Sequence, residues 1–339
     1  MDIQTNISLR PFNSFGIDVL AKAFSVFHSA EELAEILEDA ENKTLAEKLV
    51  LGGGSNILLT KNFDGLVLKN EMPGTFLVDT DAEHYYVKVG AGENWHRFVM
   101  HCVDQNYAGI ENLALIPGNV GASPMQNIGA YGVEIKDVFY QLEAYHIKDR
   151  RVDVFTKDDC KFGYRESVFK SLLKNQYVIL SVTFKLLRNP VFNTAYGAIM
   201  AELDEMKITD LTIHSIARAV IRIRQSKLPD PSVIGNAGSF FKNPEIDTDQ
   251  FRELKIRFPE IIGYDLPGHR VKLAAGWMIE QCGWKGYREG DAGCHAQQAL
   301  VLVNYGNAKG EEILTLSNKI ISSVKNRFGV TLEKEVNIY

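Results

Sequence analysis

The chain has no G-x-x-x-x-G-K-[ST] segment, no G-x-G-x-x-G and no H-E-x-x-H. These absences exclude a P-loop over phosphates, a Rossmann turn under a dinucleotide and a helical zinc pair. Gly52-Gly53-Gly54 and Gly90-Ala91-Gly92 come near the second pattern, but both lack the third glycine at the required spacing. The eight histidines are scattered, and His96 and His101 are spaced poorly for one helix face, so no metal is expected. Cys102, Cys160, Cys282 and Cys294 form no C-x-x-C pair, which predicts reduced, mostly buried thiols. No apolar run approaches the ~20 residues that span a bilayer, so no membrane partner is expected. Met1-Asp2-Ile3-Gln4 lacks a basic stretch followed by an apolar core, so no signal peptide is expected either, and a cytoplasmic location is. Positive charge is not in excess: the net charge of -6 argues against a nucleic-acid partner. There is no internal repeat and no low-complexity tract.

What the chain does have is two stretches of Gly, Ser and Asn. The first is Leu51-Gly52-Gly53-Gly54-Ser55-Asn56-Ile57-Leu58. The second runs from Ile116-Pro117-Gly118-Asn119 to Gly129-Ala130-Tyr131-Gly132. Glycine lets a backbone approach a ligand closely, and a nest of successive amides can hold a pyrophosphate without many Lys or Arg side chains. Either stretch alone reads as an ordinary turn. Together, in an acidic chain, they predict a clamp around a long phosphate-bearing ligand.

At 339 residues the chain is expected to form two or three domains. Ser29-Ala30-Glu31-Glu32 reads as a capping box, followed by a stripe of Leu33, Ile36, Leu37 and Ala40. Lys48–Leu51 reads as a strand entering the first glycine stretch and Ile57–Leu59 as one leaving it, which is not the strand–loop–helix of a dinucleotide fold. Tyr85–Val89, Leu142–Tyr145 and Tyr177–Leu186 read as further strands. Trp95, Phe98, Val99, Cys102 and Val103 share one helix face, as do Ile213, Ile216, Ala217, Val220 and Ile223. Pro229 and Pro231 place a boundary near residue 226. A long helix carries Ile313, Leu316, Ile320, Val324 and Phe328, with Gly329 as its C-cap. Val330 to Ile338 alternates like a strand, with Glu333 and Glu335 on the polar side.

Leu51-Gly52-Gly53-Gly54-Ser55-Asn56 resembles the pyrophosphate loop of the vanillyl-alcohol-oxidase-like (PCMH-type) FAD-binding fold. Ile116 to Gly132 resembles the second FAD loop of the UDP-N-acetylenolpyruvoylglucosamine reductase family. Gly163-Tyr164-Arg165-Glu166-Ser167-Val168-Phe169-Lys170, Gly238-Ser239-Phe240-Phe241-Lys242-Asn243-Pro244 and Leu332-Glu333-Lys334-Glu335-Val336 are similar to that family's active-site segments. The opening Leu9-Arg10-Pro11-Phe12-Asn13-Ser14-Phe15-Gly16 is similar as well. The matches run in order over nearly the whole chain. Ala195-Tyr196-Gly197 resembles the tyrosine loop of the family's longer sub-type.

The resemblance implies an α+β / α/β protein: an FAD-binding fold in two subdomains, residues 1–70 and 71–225, a C-terminal α/β substrate-binding domain, residues 226–330, and a strand, residues 331–339, returning Glu335 to the active site. It implies non-covalent FAD held by Gly52, Gly53, Gly54, Ser55, Asn56 and Ile57, and by Ile116, Pro117, Gly118, Val120, Gly121, Ala122, Ser123, Asn127, Gly129, Ala130 and Gly132. NADPH is the implied co-substrate and a UDP-sugar the implied substrate; a monomer is expected, though nothing in the sequence shows the oligomeric state. Ser55-Asn56 after the glycines, rather than His or Cys, disfavours a tethered flavin.

The family's reaction reduces an enolpyruvyl double bond: one vinyl carbon takes hydride, the other a proton. Charge moves onto the substrate carboxylate as an enolate, so the site needs a cation, a hydrogen-bond donor and a proton source. By resemblance these are Arg165, Glu335 and Ser239. Arg165 suits the carboxylate because its planar fork matches two oxygens and keeps its charge. Glu335 must be protonated to donate, which needs a raised pKa. Tyr196, Lys227, Asn243, Lys285 and Gln298 fall at substrate-binding positions. Lys227 and Lys285 could neutralise the UDP diphosphate or the NADPH phosphates, and Tyr196 could stack on uracil or lie over the diphosphate. The tail soon after Glu335 is expected to fray unless its strand pairs. Asn119 sits inside the second loop in no role that its position explains. Two alternatives stay open: another FAD oxidoreductase of this fold, such as an oxidase of small alcohols or sugars, and a non-catalytic nucleotide-sugar-binding protein.

Overall fold

The computed structural model describes residues 3–195 and 197–339. Two compact units emerge. One takes the residues up to Ile7, Ala21–Gly53 and Asp64–Ser226; the other takes Ser8–Leu20, Gly54–Phe63 and Lys227–Tyr339. The chain passes from one to the other inside the first glycine stretch, between Gly53 and Gly54.

In the first unit an antiparallel five-stranded sheet runs in the order Arg151–Thr156, Phe139–His146, Tyr177–Leu187, His84–Gly90, Thr75–Thr80. The helix Trp95–Asp104 covers it. Its Asn94 cap accepts the Arg97 N–H, and its buried face is the expected Trp95, Phe98, Val99, Cys102 and Val103. The Trp95 and Phe98 rings meet Phe184 of the sheet with centroids 5.8 and 5.0 Å apart. The helix Ile213–Lys227 adds Ile213, Ile216, Ala217, Val220 and Ile223 to the same core.

A second sheet of this unit has the strand order Gln4–Ser8, Leu20–Phe27, Phe63–Asn70, Lys48–Leu51, the last pair parallel. Phe27, Leu33, Ile36, Leu37, Leu66 and Leu68 form a separate core cluster with Tyr145, Val178 and Leu180. The expected helix after Ser29 is present as Ala30–Glu38, and Ser29 accepts the Glu32 N–H at 3.1 Å. Two details differ from the sequence reading. The Glu32 carboxylate accepts from His28 N–H at 2.7 Å, so the box closes one residue earlier than Ser29. The helix also stops before Ala40, because the Asp39 side chain accepts the Glu41 and Asn42 N–H groups and starts a second helix, Ala40–Thr44.

The second unit holds the antiparallel strands Gly235–Ser239, Val301–Asn304, Ala292–Cys294 and Arg288–Glu289, and a three-stranded sheet of Glu245–Asp247, Arg270–Leu273 and Gly263–Leu266. The helix Gly310–Phe328 buries Ile313, Leu316, Ile320, Val324 and Phe328 and ends on Gly329 at φ 72°, the left-handed cap that glycine adopts without strain. The alternation in Val330–Ile338 is real in burial, since Val330, Leu332 and Val336 are buried. It is not one strand. The Glu333 carbonyl accepts from Lys242 N–H and Glu335 N–H donates to Phe240, an antiparallel pairing; Asn337–Ile338 then pairs in parallel with Ile57–Leu58. The change of partner and direction breaks the ladder at Val336. Tyr339 accepts from Thr60 N–H at 2.7 Å, so the tail is pinned rather than frayed. Among the described residues no helix is long and apolar enough to cross a membrane.

Candidate active site

Only glycine fits two positions of the first loop. Gly54 sits at φ 61°, and a side chain there would run into the Phe12 carbonyl. A Cβ on Gly53 would lie 2.8 Å from the Gly118 Cα and 2.9 Å from the Asn119 Oδ1. Within the first unit the two glycine stretches therefore pack backbone to backbone. Asn119, unexplained in sequence, is the pin: its amide donates to the Gly92 carbonyl at 2.7 Å and its backbone bridges Asn94. Gly90-Ala91-Gly92, no dinucleotide turn, is the bed on which the second loop lies. Gly121 N–H donates to Ala91 at 2.9 Å, Val120 N–H to Glu93 at 2.8 Å and Trp95 N–H to Gly118 at 3.0 Å.

The Ser123 Oγ is buried and, among the described residues, has no hydrogen-bond partner. An orphaned buried hydroxyl costs ~1–3 kcal/mol, so its place in a loop whose glycines exclude side chains fits a polar group of a bound ligand. Asn127 does the opposite. It is buried, its amide donates to the Glu134 carboxylate and the Gly163 carbonyl, and its oxygen accepts from Lys136 N–H at 3.0 Å. It shapes the loop. The hairpin of Gly129–Ala130 and Val133–Glu134 turns through Tyr131 and Gly132 at φ 49° and 82°, the paired left-handed residues of a type I′ turn. Asn112 and Asn193 donate to the carbonyls of Tyr131 and Gly132.

Arg165 occupies a turn closed by two bonds between Gly163 and Glu166, at φ 55°, a conformation that costs a side-chain-bearing residue ~1–2 kcal/mol. The guanidinium donates to the Gly129 carbonyl at 2.7 Å and lies 5.6 Å from the Tyr164 ring centroid. Thus Arg165 is tied to the second loop.

Arg224 escaped sequence reasoning. Burial pushes its pKa down, Tyr131 partly opposes this, and the Arg165 charge adds repulsion. Its Nε donates to the Leu115 carbonyl at 3.2 Å, while the Leu115 N–H donates to His96 Nδ1 at 3.0 Å. The peptides flanking Leu115, a residue at φ 59° just before the second loop, are thus gripped from both sides. A signal did exist: Arg224 continues the apolar stripe of Ala217 and Val220 at helical spacing.

In the second unit, Ser239 ends the strand Gly235–Ser239 after a bulge at Gly238, φ 69°, whose N–H donates to Asn236 Oδ1 at 2.9 Å. Bulges re-aim side chains. Ser239 is half-buried while the following Phe240 and Phe241 are buried. The Phe240 carbonyl accepts Glu335 N–H at 2.8 Å, which brings Ser239 and Glu335 onto neighbouring segments. Glu335 is half-buried; the Glu333 side chain is 76% exposed and pairs with Lys242 at 3.4 Å.

The other expected substrate residues are less alike. Asn243 Oδ1 accepts Ala275 N–H at 3.0 Å and so caps the helix Ala275–Gln281. Gln298 lies beside Gly276. Lys285 pairs with Glu280 at 2.9 Å, and Lys227 is exposed at the end of its helix. Tyr196 lies outside the described residues.

Residues 21–149 match the family model described as FAD binding domain, and residues 230–339 match UDP-N-acetylenolpyruvoylglucosamine reductase, C-terminal domain. Proteins named UDP-N-acetylenolpyruvoylglucosamine reductase are similar over the whole chain. That of Flavobacterium johnsoniae is 50% identical over 339 residues, covering 100% of both chains. That of Amoebophilus asiaticus is 49% identical over 338 residues, covering 100% of this chain and 99% of its own. A solved structure of the reductase from Thermus caldophilus aligns with a TM-score of 0.68 and 23% identity, covering 100% of this chain and 99% of that one. This likeness shows the fold and bears out the expected mixed α/β FAD-binding architecture. At 50% identity over the full length of a relative, the protein belongs to the UDP-N-acetylenolpyruvoylglucosamine reductase family.

Proposed function

We propose that the protein reduces the enolpyruvyl group of UDP-N-acetylenolpyruvoylglucosamine to the lactyl ether of UDP-N-acetylmuramate, a step in peptidoglycan precursor synthesis. The observation that carries this reading is the adjacency of Ser239 and Glu335, a hydroxyl and a carboxyl set on segments joined by the Glu335 N–H bond to Phe240, in a chain of this family. Bound FAD, once reduced by NADPH, would supply the hydride. The residues present fit it: the glycine-only positions at Gly53 and Gly54 and the orphaned Ser123 hydroxyl suit a polar ligand held by backbone. The expected loop residues Gly52 to Ile57 and Ile116 to Gly132 would hold it without a covalent tether.

Ser239 delivers the proton to the vinyl carbon that does not take hydride. Arg165 holds the substrate carboxylate, and its charge, beside that of Arg224, favours the enolate. Glu335 donates a hydrogen bond to the developing enolate. Asn243 and Gln298 orient the UDP-sugar within residues 226–330, Lys227 and Lys285 neutralise phosphate, and Tyr196 closes over the nucleotide. The enzyme works as a monomer in the cytoplasm.

A visible spectrum tests it. The purified protein should show flavin bands that bleach with NADPH and return when UDP-N-acetylenolpyruvoylglucosamine is added without oxygen. A colourless protein, or reduced enzyme that the substrate does not reoxidise, overturns it. Flavin that stays in the pellet on acid precipitation would refute the non-covalent site.

A further inference from the structure

The carbonyl of Asn56 receives two bonds from one residue: the backbone N–H of Asn337 at 3.1 Å and its side-chain amide at 3.1 Å. The first belongs to the parallel pairing of Asn337 with Ile57, and any residue except proline would make it. The second is specific to a side chain with an amide donor of this length. Asn56 in turn extends its own amide to the Glu335 carbonyl at 3.5 Å. The pinned peptide is therefore flanked by the proposed cofactor loop on one side and by the proposed acid on the other.

A trans peptide is planar, with its C=O and N–H pointing in opposite directions. Holding the Asn56 oxygen towards Asn337 with two donors therefore sets the direction of the Ile57 N–H, away from Asn337. A single ladder bond leaves this plane free to tilt; the pair restricts it.

We propose that Asn337 is a positioning residue that keeps the Asn56–Ile57 peptide aligned for FAD and keeps Glu335 in step with that loop. Cofactor affinity and placement of the Glu335 carboxyl are then two readouts of one hydrogen-bonded strip. This rests on the proposed roles of the first glycine loop and Glu335.

The test uses the full-length protein with Asn337→Ala and Asn337→Asp. Both keep the backbone bond. The first removes the amide donor, and the second sets a carboxylate against the Asn56 carbonyl. FAD dissociation is measured by flavin fluorescence on titrating apoprotein, and the two half-reactions of FAD-saturated enzyme by stopped flow. N337A should weaken FAD binding about 2- to 10-fold, and N337D should weaken it more. Both should slow reoxidation by the UDP-sugar and leave reduction by NADPH unchanged. A merely structural role would lower the melting temperature without that ordering or that split. Gly53→Ala, which forces a Cβ against the Gly118 backbone, is the control on the underlying reading. If it weakens FAD binding while both Asn337 variants bind FAD within about twofold of the parent and reoxidise normally, the inference fails and the loop assignment stands. If Gly53→Ala also leaves FAD binding unchanged, the loop assignment fails and takes the inference with it.

Discussion

Gly53 and Gly118 lie backbone to backbone, so close that a Cβ on Gly53 would be 2.8 Å from the Gly118 Cα. The neighbouring glycine is not under the same constraint: the nearest atom to a Cβ on Gly52 would be Asn119 Cβ at 3.5 Å, an ordinary contact. Gly53→Ala should therefore cost ~1–3 kcal/mol in overpacking and release flavin, while Gly52→Ala should be close to neutral in stability. Thermal melts of the apoproteins check this. Equal melting temperatures for the two variants would show that the packing of the loops is not tight.

Ser123→Ala should have opposite effects on the two forms. The hydroxyl is buried without a partner among the described residues, so its removal should leave the apoprotein as stable as the parent or slightly more so. If the hydroxyl bonds the cofactor, the same variant should bind FAD more weakly, by about 2- to 10-fold. Paired melts with and without FAD measure both signs. Unchanged FAD affinity would remove Ser123 from the cofactor site.

Ser239→Ala should leave NADPH-driven flavin reduction intact and slow reoxidation by the UDP-sugar, by ~10²–10⁴-fold for a lost general acid. Glu335→Gln should act on the same half-reaction. Glu333→Gln should do little, because that side chain is exposed and paired with Lys242. Stopped-flow traces of each half-reaction separate these outcomes. A loss shared equally between the half-reactions would deny Ser239 its role as proton donor.

His96 predicts a pH dependence. Burial first, and the Arg224 charge second, hold its pKa below the usual 6.5, which keeps Nδ1 unprotonated and able to accept the Leu115 N–H. A histidine depressed on folding stabilises the native state at a pH above its unfolded value, and that contribution is lost as pH falls through the folded value. Stability of the parent should thus be fully present above about pH 6.5 and decline below it. His96→Asn, which cannot titrate, should flatten that part of the decline. Parallel loss of stability in parent and variant from pH 7 downward would show that the imidazole does not carry it.

Local patterns were legible where a single element decides burial. The stripe Trp95, Phe98, Val99, Cys102, Val103 became the buried face of a helix because period alone assigns the inward side, and the helix Gly310–Phe328 ended on Gly329 for the backbone reason read from its sequence. The strand–loop–strand setting of the first glycine stretch followed in the same way. The tail was only half legible. Its alternation predicted which residues are buried, but nothing local states that its partners change after Val336.

The sequence by itself determined the elements, the glycine stretches and, through the order of its motifs, the family, because these depend on residue type and short spacing. Only the tertiary structure decided which of those glycines cannot be replaced, since the clash at Gly53 comes from Gly118, far along the chain, while Gly52 has room for a Cβ. It also decided what Asn119 does, that Arg224 and His96 grip opposite sides of Leu115, and that Asn337 reaches Asn56. Each of these is a close approach of residues distant in sequence, and packing sets such distances where spacing along the chain does not.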